Sequence, residues 1–293
     1  MKLLCWTPEL KNCGPVKNHY RVLHDVRPDI EDVKDGEGSL KDEIVVSIGG
    51  PSVFLGRERF AVLQERLREC RYVIFIHDDY LAYPATQIRT AIMGKPNVVL
   101  SHVRGLPMQR KIWSFATEYH YIPINQAAWR PLPFKDVEHK GLLYYGWARP
   151  GRLEQLSKYL CTQLYPVYLA CSKYSREKFA EEGIIPSYVG KFNNMPYDLQ
   201  GYEASLYLED EQTKMQVDPA CRLFECISAG VALFFLCQPH GINVRREWMV
   251  DSPEELARKL PFSEEIRHAQ REAFATRDWY GEILQRLDEV LPR

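Results

Sequence analysis

Apolar residues in this chain come either in short dense runs or at helical spacing, and the two habits alternate. Lys2–Thr7 reads as a strand, and Val16–Val26 as a helix whose start is marked by Gly14–Pro15. Glu43–Ile48 is rich in β-branched residues and is stopped by Gly49–Gly50–Pro51. Arg57–Cys70 has helical periodicity through Phe60, Leu63 and Leu67. Arg71–Ile76 is an almost unbroken apolar run, as expected of a central parallel strand covered on both faces. Ala85–Met93 follows as a short helix and Asn97–Ser101 as a strand.

The rhythm pauses at Phe134–Lys140, a polar stretch after Pro131 and Pro133, and then restarts. Gly141–Tyr145, Val167–Ala170, Ser187–Val189, Ala204–Leu208 and Ala232–Leu236 read as strands. Arg152–Leu160, Ser175–Glu182 and Leu223–Ala229 read as the helices between them, and helices from Pro253 to Leu291 end the chain. Such βαβ alternation predicts an α/β fold of two Rossmann-like domains facing each other across a cleft. We divide them at residues 1–138 and 139–274, with 275–293 free to pack back on the first domain. The last helix is expected at Arg271–Leu291, with an amphipathic pattern through Phe274, Ile283, Leu284, Leu287 and Val290. Ligands of such sheets bind beyond the carboxyl ends of the strands, so residues just after strands carry functional weight.

Composition narrows the field. The 293 residues are 45% hydrophobic and 26% charged, which excludes a disordered chain. A net charge of −1 excludes a uniformly basic protein that coats nucleic acid, though not a locally basic face. Asp25–Glu43 holds eight acidic and three basic residues and reads as a solvated loop. No apolar run approaches the ~20 residues of a membrane span. The start, MKLLCWTPEL, reads as a first strand rather than a secretion signal, so we expect a cytoplasmic protein. The 8 cysteines form no C-x-x-C pair, so they read as small reduced fillers and imply no metal.

Three segments carry chemistry. His77-Asp78-Asp79 follows the buried strand, and a partly desolvated carboxylate there suits a general base. The same residues also fit a loop in which Asp caps the next turn. Tyr144-Tyr145-Gly146-Trp147-Ala148-Arg149-Pro150-Gly151-Arg152 is a strand, a glycine turn and a helix start, a geometry that presents backbone N–H groups to a phosphate. Arg149 and Arg152 would add contacts to its oxygens. Arg222-Leu223-Phe224-Glu225 opens an otherwise apolar helix that ends at Gly230. The Glu225 carboxylate could accept from a ribose diol, or simply favour the helix dipole.

The stretch R-L-F-E-C-I-S-A-G-V-A-L resembles the Glu signature of GT-B glycosyltransferases. Y-Y-G-W-A-R-P-G-R, S-L-Y-L-E-D and D-D-Y-x-x-Y-P-A-T-Q-I-R resemble, more narrowly, bacteriophage glycosyltransferases that modify hydroxymethylated pyrimidines in DNA. The resemblance implies a nucleotide-sugar donor, UDP-glucose first, as a substrate held by the second domain. Glu225 would hold the ribose, and Arg149, Arg152 and Arg222 the diphosphate, beside the Gly146 turn. The loop containing Gly14 would close over the sugar, and Asp78 or Asp79, next to His77, would act as base or orient the acceptor. No D-x-D motif is present, so no obligatory cofactor is expected; a divalent metal is compatible with this reading and not implied by it.

An acceptor face can be read independently. His102–Lys135 carries Arg104, Arg110, Lys111, Arg130 and Lys135 against the single acid Glu118. Trp113, Phe115, Tyr119, Tyr121, Trp129 and Phe134 are interleaved with them. Cations contact phosphates and aromatics stack on an extruded base, so Arg104, Arg110, Lys111, Trp113 and Arg130 are the expected DNA contacts. The same aromatics could equally be core. Sugar transfer to a polysaccharide, protein or small molecule is the second reading, and a non-catalytic two-domain binding module the third.

Overall fold

Runs buried on both faces form the centres of two parallel sheets. The computed structural model describes residues 3–6, 14–32, 39–48, 69–77, 97–101, 118–127, 130–135, 140–192, 195–211, 214, 219–275 and 278–291. The chain divides into two units, residues 1–128 with 278–293, and residues 129–277.

The first unit holds β1 (Leu3–Trp6), α1 (Gly14–Val26), β2 (Glu31–Asp32), β3 (Ile44–Ile48), β4 (Tyr72–His77), β5 (Asn97–Ser101), β6 (Glu118–Tyr121) and α2 (Ile124–Ala127). Its strands run parallel in the order β2-β1-β3-β4-β5-β6. Val45 and Val46, like Val73 and Ile74, are successive residues on opposite faces, and all four are buried. Both faces of this sheet are therefore covered, as a parallel sheet requires. Helix α1 buries His19, Val22 and Leu23, one face at helical spacing. Two strands were not expected. β2 lies inside the acidic stretch read as a loop, where Asp32 accepts a hydrogen bond from Tyr20 and lies 3.1 Å from His24 Nε2. β6 runs through the basic and aromatic stretch and takes up Tyr119 and Tyr121.

The second unit holds β7 (Lys140–Tyr145), α3 (Pro150–Leu160), β8 (Val167–Ala170), α4 (Lys173–Glu181), β9 (Ser187–Gly190), β10 (Tyr202–Tyr207), α5 (Arg222–Ala229), β11 (Ala232–Phe235), α6 (Pro253–Lys259) and α7 (Ser263–Phe274). The parallel order is β11-β10-β7-β8-β9. Alternate residues supply two cores. Leu142, Tyr144, Leu206 and Phe234 pack with Leu156 of α3, Phe179 of α4 and Leu256 of α6. Leu143, Tyr145, Tyr207 and Phe235 pack with Leu223 and Ile227 of α5 and with Trp248. Each strand is thus apolar almost throughout, which is why the sequence showed these strands clearly.

Residues 130–135 belong to the second unit, ten residues before the boundary drawn from the sequence. Leu132 N donates to Ser228 O at 2.8 Å, and Gln200 Nε2 to Pro133 O at 2.9 Å. The Phe134 ring lies under the Arg271 guanidinium, 3.8 Å from its centroid, and beside His268. Phe134 is therefore packing, not part of an acceptor face. Gly230 ends α5 at φ +73°, and Val231 N returns to Cys226 O at 2.9 Å. A Cβ there would stand 2.6 Å from Phe134 and 2.8 Å from Arg271 Nη2. Gly230→Ala is expected to lower stability by about 1–3 kcal/mol, read as a lower urea midpoint with an unchanged slope.

The C-terminal helix is not continuous. α7 ends at Phe274, and α8 (Trp279–Val290) restarts behind Asp278, whose Oδ1 accepts from Gly281 N at 2.9 Å. α8 belongs to the first unit, where it buries Ile283, Leu287 and Val290. Asp288 pairs with Arg27 at 3.2 Å, and Tyr280 donates to Asp25 at 3.4 Å. No helix among the described residues is long and apolar enough to cross a membrane.

Candidate functional site

In the second sheet the chain moves outward from β7 through β8 to β9, then returns to place β10 on β7's other side. The connections after β7 and β10 therefore leave in opposite directions. The crevice between their carboxyl ends is the position where doubly wound sheets take ligands. Gly146, Trp147, Ala148 and Arg149 follow β7, and Leu208, Glu209 and Asp210 follow β10. The chain then reaches α5, which opens with Arg222 and has Glu225 in its first turn.

Tyr145, the last residue of β7, faces α5 and donates from its hydroxyl to Glu225 Oε2 at 2.7 Å. Glu225 is half-buried. Desolvation raises its pKa above the usual carboxyl value, against the opposing pull of the Tyr145 hydrogen bond and the Arg222 charge. Burial pushes the neighbouring Cys226 thiol up to about 12 and raises the Tyr145 phenol well above its ordinary value. At neutral pH both stay protonated; Tyr145 donates to the carboxylate, Cys226 lies against the Tyr145 hydroxyl, and Cys221, its thiol also raised by burial, is the second group hydrogen-bonded to Glu225.

Arg222 does not reach outward. It is 7% exposed, donates from Nη2 to Tyr145 O and from Nη1 to Leu206 O at 3.4 Å, and lies over the Tyr144 and Tyr145 rings. It thereby ties the ends of β7 and β10 to α5, a wall of the crevice rather than a hand in it. Gly146 makes room for this. Its φ is +121°, and a Cβ would stand 2.7 Å from Arg222 Nη2. Gly146→Ala is expected to cost about 1–3 kcal/mol of stability, measured by chemical denaturation.

Helix α3 begins earlier than expected, with Pro150 at its first position and Arg149 as its cap residue. Asp210 Oδ2 lies 2.9 Å from both Arg149 Nη1 and Arg152 Nε. Arg152 is buried, whereas the Arg149 side chain remains 34% exposed. Of the three arginines, Arg149 is the one that presents a cation to the crevice from a helix N-terminus. Trp147 beside it is 61% exposed.

Sequence reasoning quoted the motifs that contain Tyr145, Glu209 and Asp210 but gave these residues no role, and it missed His240, although adjacent acids directly after a buried strand were a visible signal. In the first unit, His77 is the last residue of β4, paired with Ser101, and Gly14 opens α1. Asp78, Asp79, Arg104, Arg110, Lys111 and Trp113 lie outside the described residues. Arg130 is exposed, belongs to the second unit, and accepts from Ser228 Oγ through its carbonyl. Among the described residues no three His, Cys, Asp or Glu side chains gather as a metal site.

No protein-family profile matches this sequence, and no curated protein does. Solved structures match its shape. A T4 phage β-glucosyltransferase is similar over 100% of both chains, at a TM-score of 0.70 and 13% identity. A structure of the DNA-modifying enzyme β-glucosyltransferase, with and without its substrate uridine diphosphoglucose, covers 99% of each chain at 0.70 and 12%. AviGT4, a glycosyltransferase involved in avilamycin A biosynthesis, covers 99% of this chain and 97% of its own at 0.55 and 14%. The chain has the GT-B fold of two Rossmann-like units.

Proposed function

We propose that this chain is a glycosyltransferase that moves glucose from UDP-glucose to the hydroxymethyl group of a modified pyrimidine in DNA. The observation that carries the reading is Glu225, a half-buried carboxylate at the switch point, oriented by the Tyr145 hydroxyl. A carboxylate in that place accepts the paired hydroxyls of a ribose. The full-length likeness to β-glucosyltransferases supports the choice of donor and acceptor.

Arg149 and the amino end of α3 then face the diphosphate, while Arg152 and Arg222 hold the crevice in shape from behind. The acceptor's hydroxymethyl oxygen bonds to the anomeric carbon of glucose as the bond from that carbon to UDP breaks. The charge left on UDP is met by Arg149 and the helix amides. In an inverting displacement the hydroxyl proton passes to Asp78 or Asp79. Arg104, Arg110, Lys111, Trp113 and Arg130 are the proposed contacts to DNA. A cytoplasmic setting, that of the host if a phage encodes the chain, goes with this reading.

Radiolabelled UDP-glucose, incubated with duplex DNA containing 5-hydroxymethylpyrimidines and with unmodified DNA, should label the modified duplex alone. Binding to the duplex should weaken steeply with salt. The likeness to AviGT4 favours a second reading, the same donor chemistry toward a small-molecule acceptor. Failure to label either DNA while UDP still binds would favour it. Failure of UDP to bind at all would remove both.

A further inference from the structure

Glu209 lies two residues beyond the end of β10, and its side chain is completely buried. Oε1 accepts from the Tyr207 hydroxyl at 2.7 Å and from His240 N at 3.1 Å. Oε2 lies 2.5 Å from His240 Nδ1. The Tyr207 hydroxyl in turn accepts from Ala220 N at 2.9 Å, just ahead of α5. A buried charge held by this many donors is fixed in place, and apolar residues would fill the same space at lower cost.

What Glu209 fixes is His240. A carboxylate only accepts, so whenever the imidazole is neutral its ring hydrogen sits on Nδ1 and Nε2 keeps its lone pair. The His240 side chain is 44% exposed, and its Nε2 has no partner among the described residues. The next residue, Asp210, reaches the other way to Arg149 and Arg152. Two adjacent acids thus hold two arginines on the β7 side of the β10 terminus and a histidine on its β11 side. Those sides are two strand spacings apart, about 10 Å, a span that a hexose carried on a diphosphate covers.

We propose that His240 Nε2 accepts a hydrogen bond from a hydroxyl of the donor's transferred sugar, with Glu209 as the positioning residue that sets the ring's tautomer. This rests on the donor assignment above and adds the group that recognises the sugar itself.

Calorimetry on the full chain with UDP and with UDP-glucose tests it. His240→Ala should weaken UDP-glucose binding about tenfold, the loss of one hydrogen bond, and leave UDP binding within twofold. In Glu209→Gln the amide can donate to Nδ1 and move the ring hydrogen to Nε2, so UDP-glucose binding should fall with the ring intact. The ¹⁵N resonances of His240 should report that switch. In the His240→Ala background, Glu209→Gln should cause no further loss. Unchanged UDP-glucose binding by His240→Ala, or equal loss of both ligands, overturns the proposal, and this half-exposed substitution decides it even where Glu209→Gln fails to fold. A wild-type chain that binds neither ligand overturns the donor assignment and this proposal together.

Discussion

Glu225→Gln is expected to weaken UDP binding about a hundredfold and to abolish measurable transfer, while the protein becomes no less stable at neutral pH. On the proposed donor assignment, the affinity loss follows from replacing a carboxylate that would accept two ribose hydroxyls by an amide with one acceptor oxygen; charge-assisted bonds of this kind contribute about 1.5–3 kcal/mol each. The stability follows from burial. Desolvation raises the Glu225 pKa above the ordinary 4.5. Between that value and the raised one, the folded chain holds more protons than the unfolded chain, so stability falls as pH climbs through the window. At pH 7 the ionised group is therefore a net cost to the fold, and the amide removes it. Melting temperatures at pH 7 should place Glu225→Gln level with or above the wild type, with the gap closing toward pH 4. A clear loss of stability at pH 7 would mean that the carboxylate is structural.

Asp210→Ala should act in the opposite sense, unfolding the protein more readily before chemistry is asked of it. The Asp210 and Arg152 side chains are 8% and 9% exposed, and Arg149 shares the same carboxylate oxygen. Removing one member of a buried pair takes a close counter-charge from the other in low dielectric, at a cost of about 3–5 kcal/mol. Chemical denaturation should show that loss. Arg149→Ala removes only the partly exposed partner and should cost far less stability while still weakening UDP binding. Similar losses for the two variants would show that the triad does not depend on the Arg152 charge.

The contrast between these residues explains how far the sequence could be read. Strands covered on both faces, such as Tyr72–His77 and Tyr202–Tyr207, show as apolar runs, and their order within a βαβ chain implies the parallel sheet. Glu118–Tyr121 does not show, because a short strand reading E-Y-H-Y at a sheet edge has no apolar run to display. Helix α8 looked continuous with α7 because apolar residues occur on both sides of the break; Asp278, which caps the start of α8, was the overlooked signal. At the site, the sequence offered Arg149 by its place after β7 and Glu225 by its place in the first turn of an otherwise apolar helix. Arg222 matched the motif equally well, yet residue type says nothing about direction, and its guanidinium turns inward to Tyr145 and Leu206. The inward partners, Asp210 for the arginines and Glu209 for His240, become visible only when the ends of β7, β10 and β11 are brought side by side.

Pro131 and Pro133 look like a tether, but the segment around them is a strap, buckled by Ser228, Gln200 and the Arg271–Phe134 stack. For anyone transplanting the second unit into a chimaera, this moves the scissors. A graft cut at 139–274 would strip Phe134 from beneath Arg271 and leave Gly230 facing an empty slot, whereas one cut at 129–277 carries its own fastening with it.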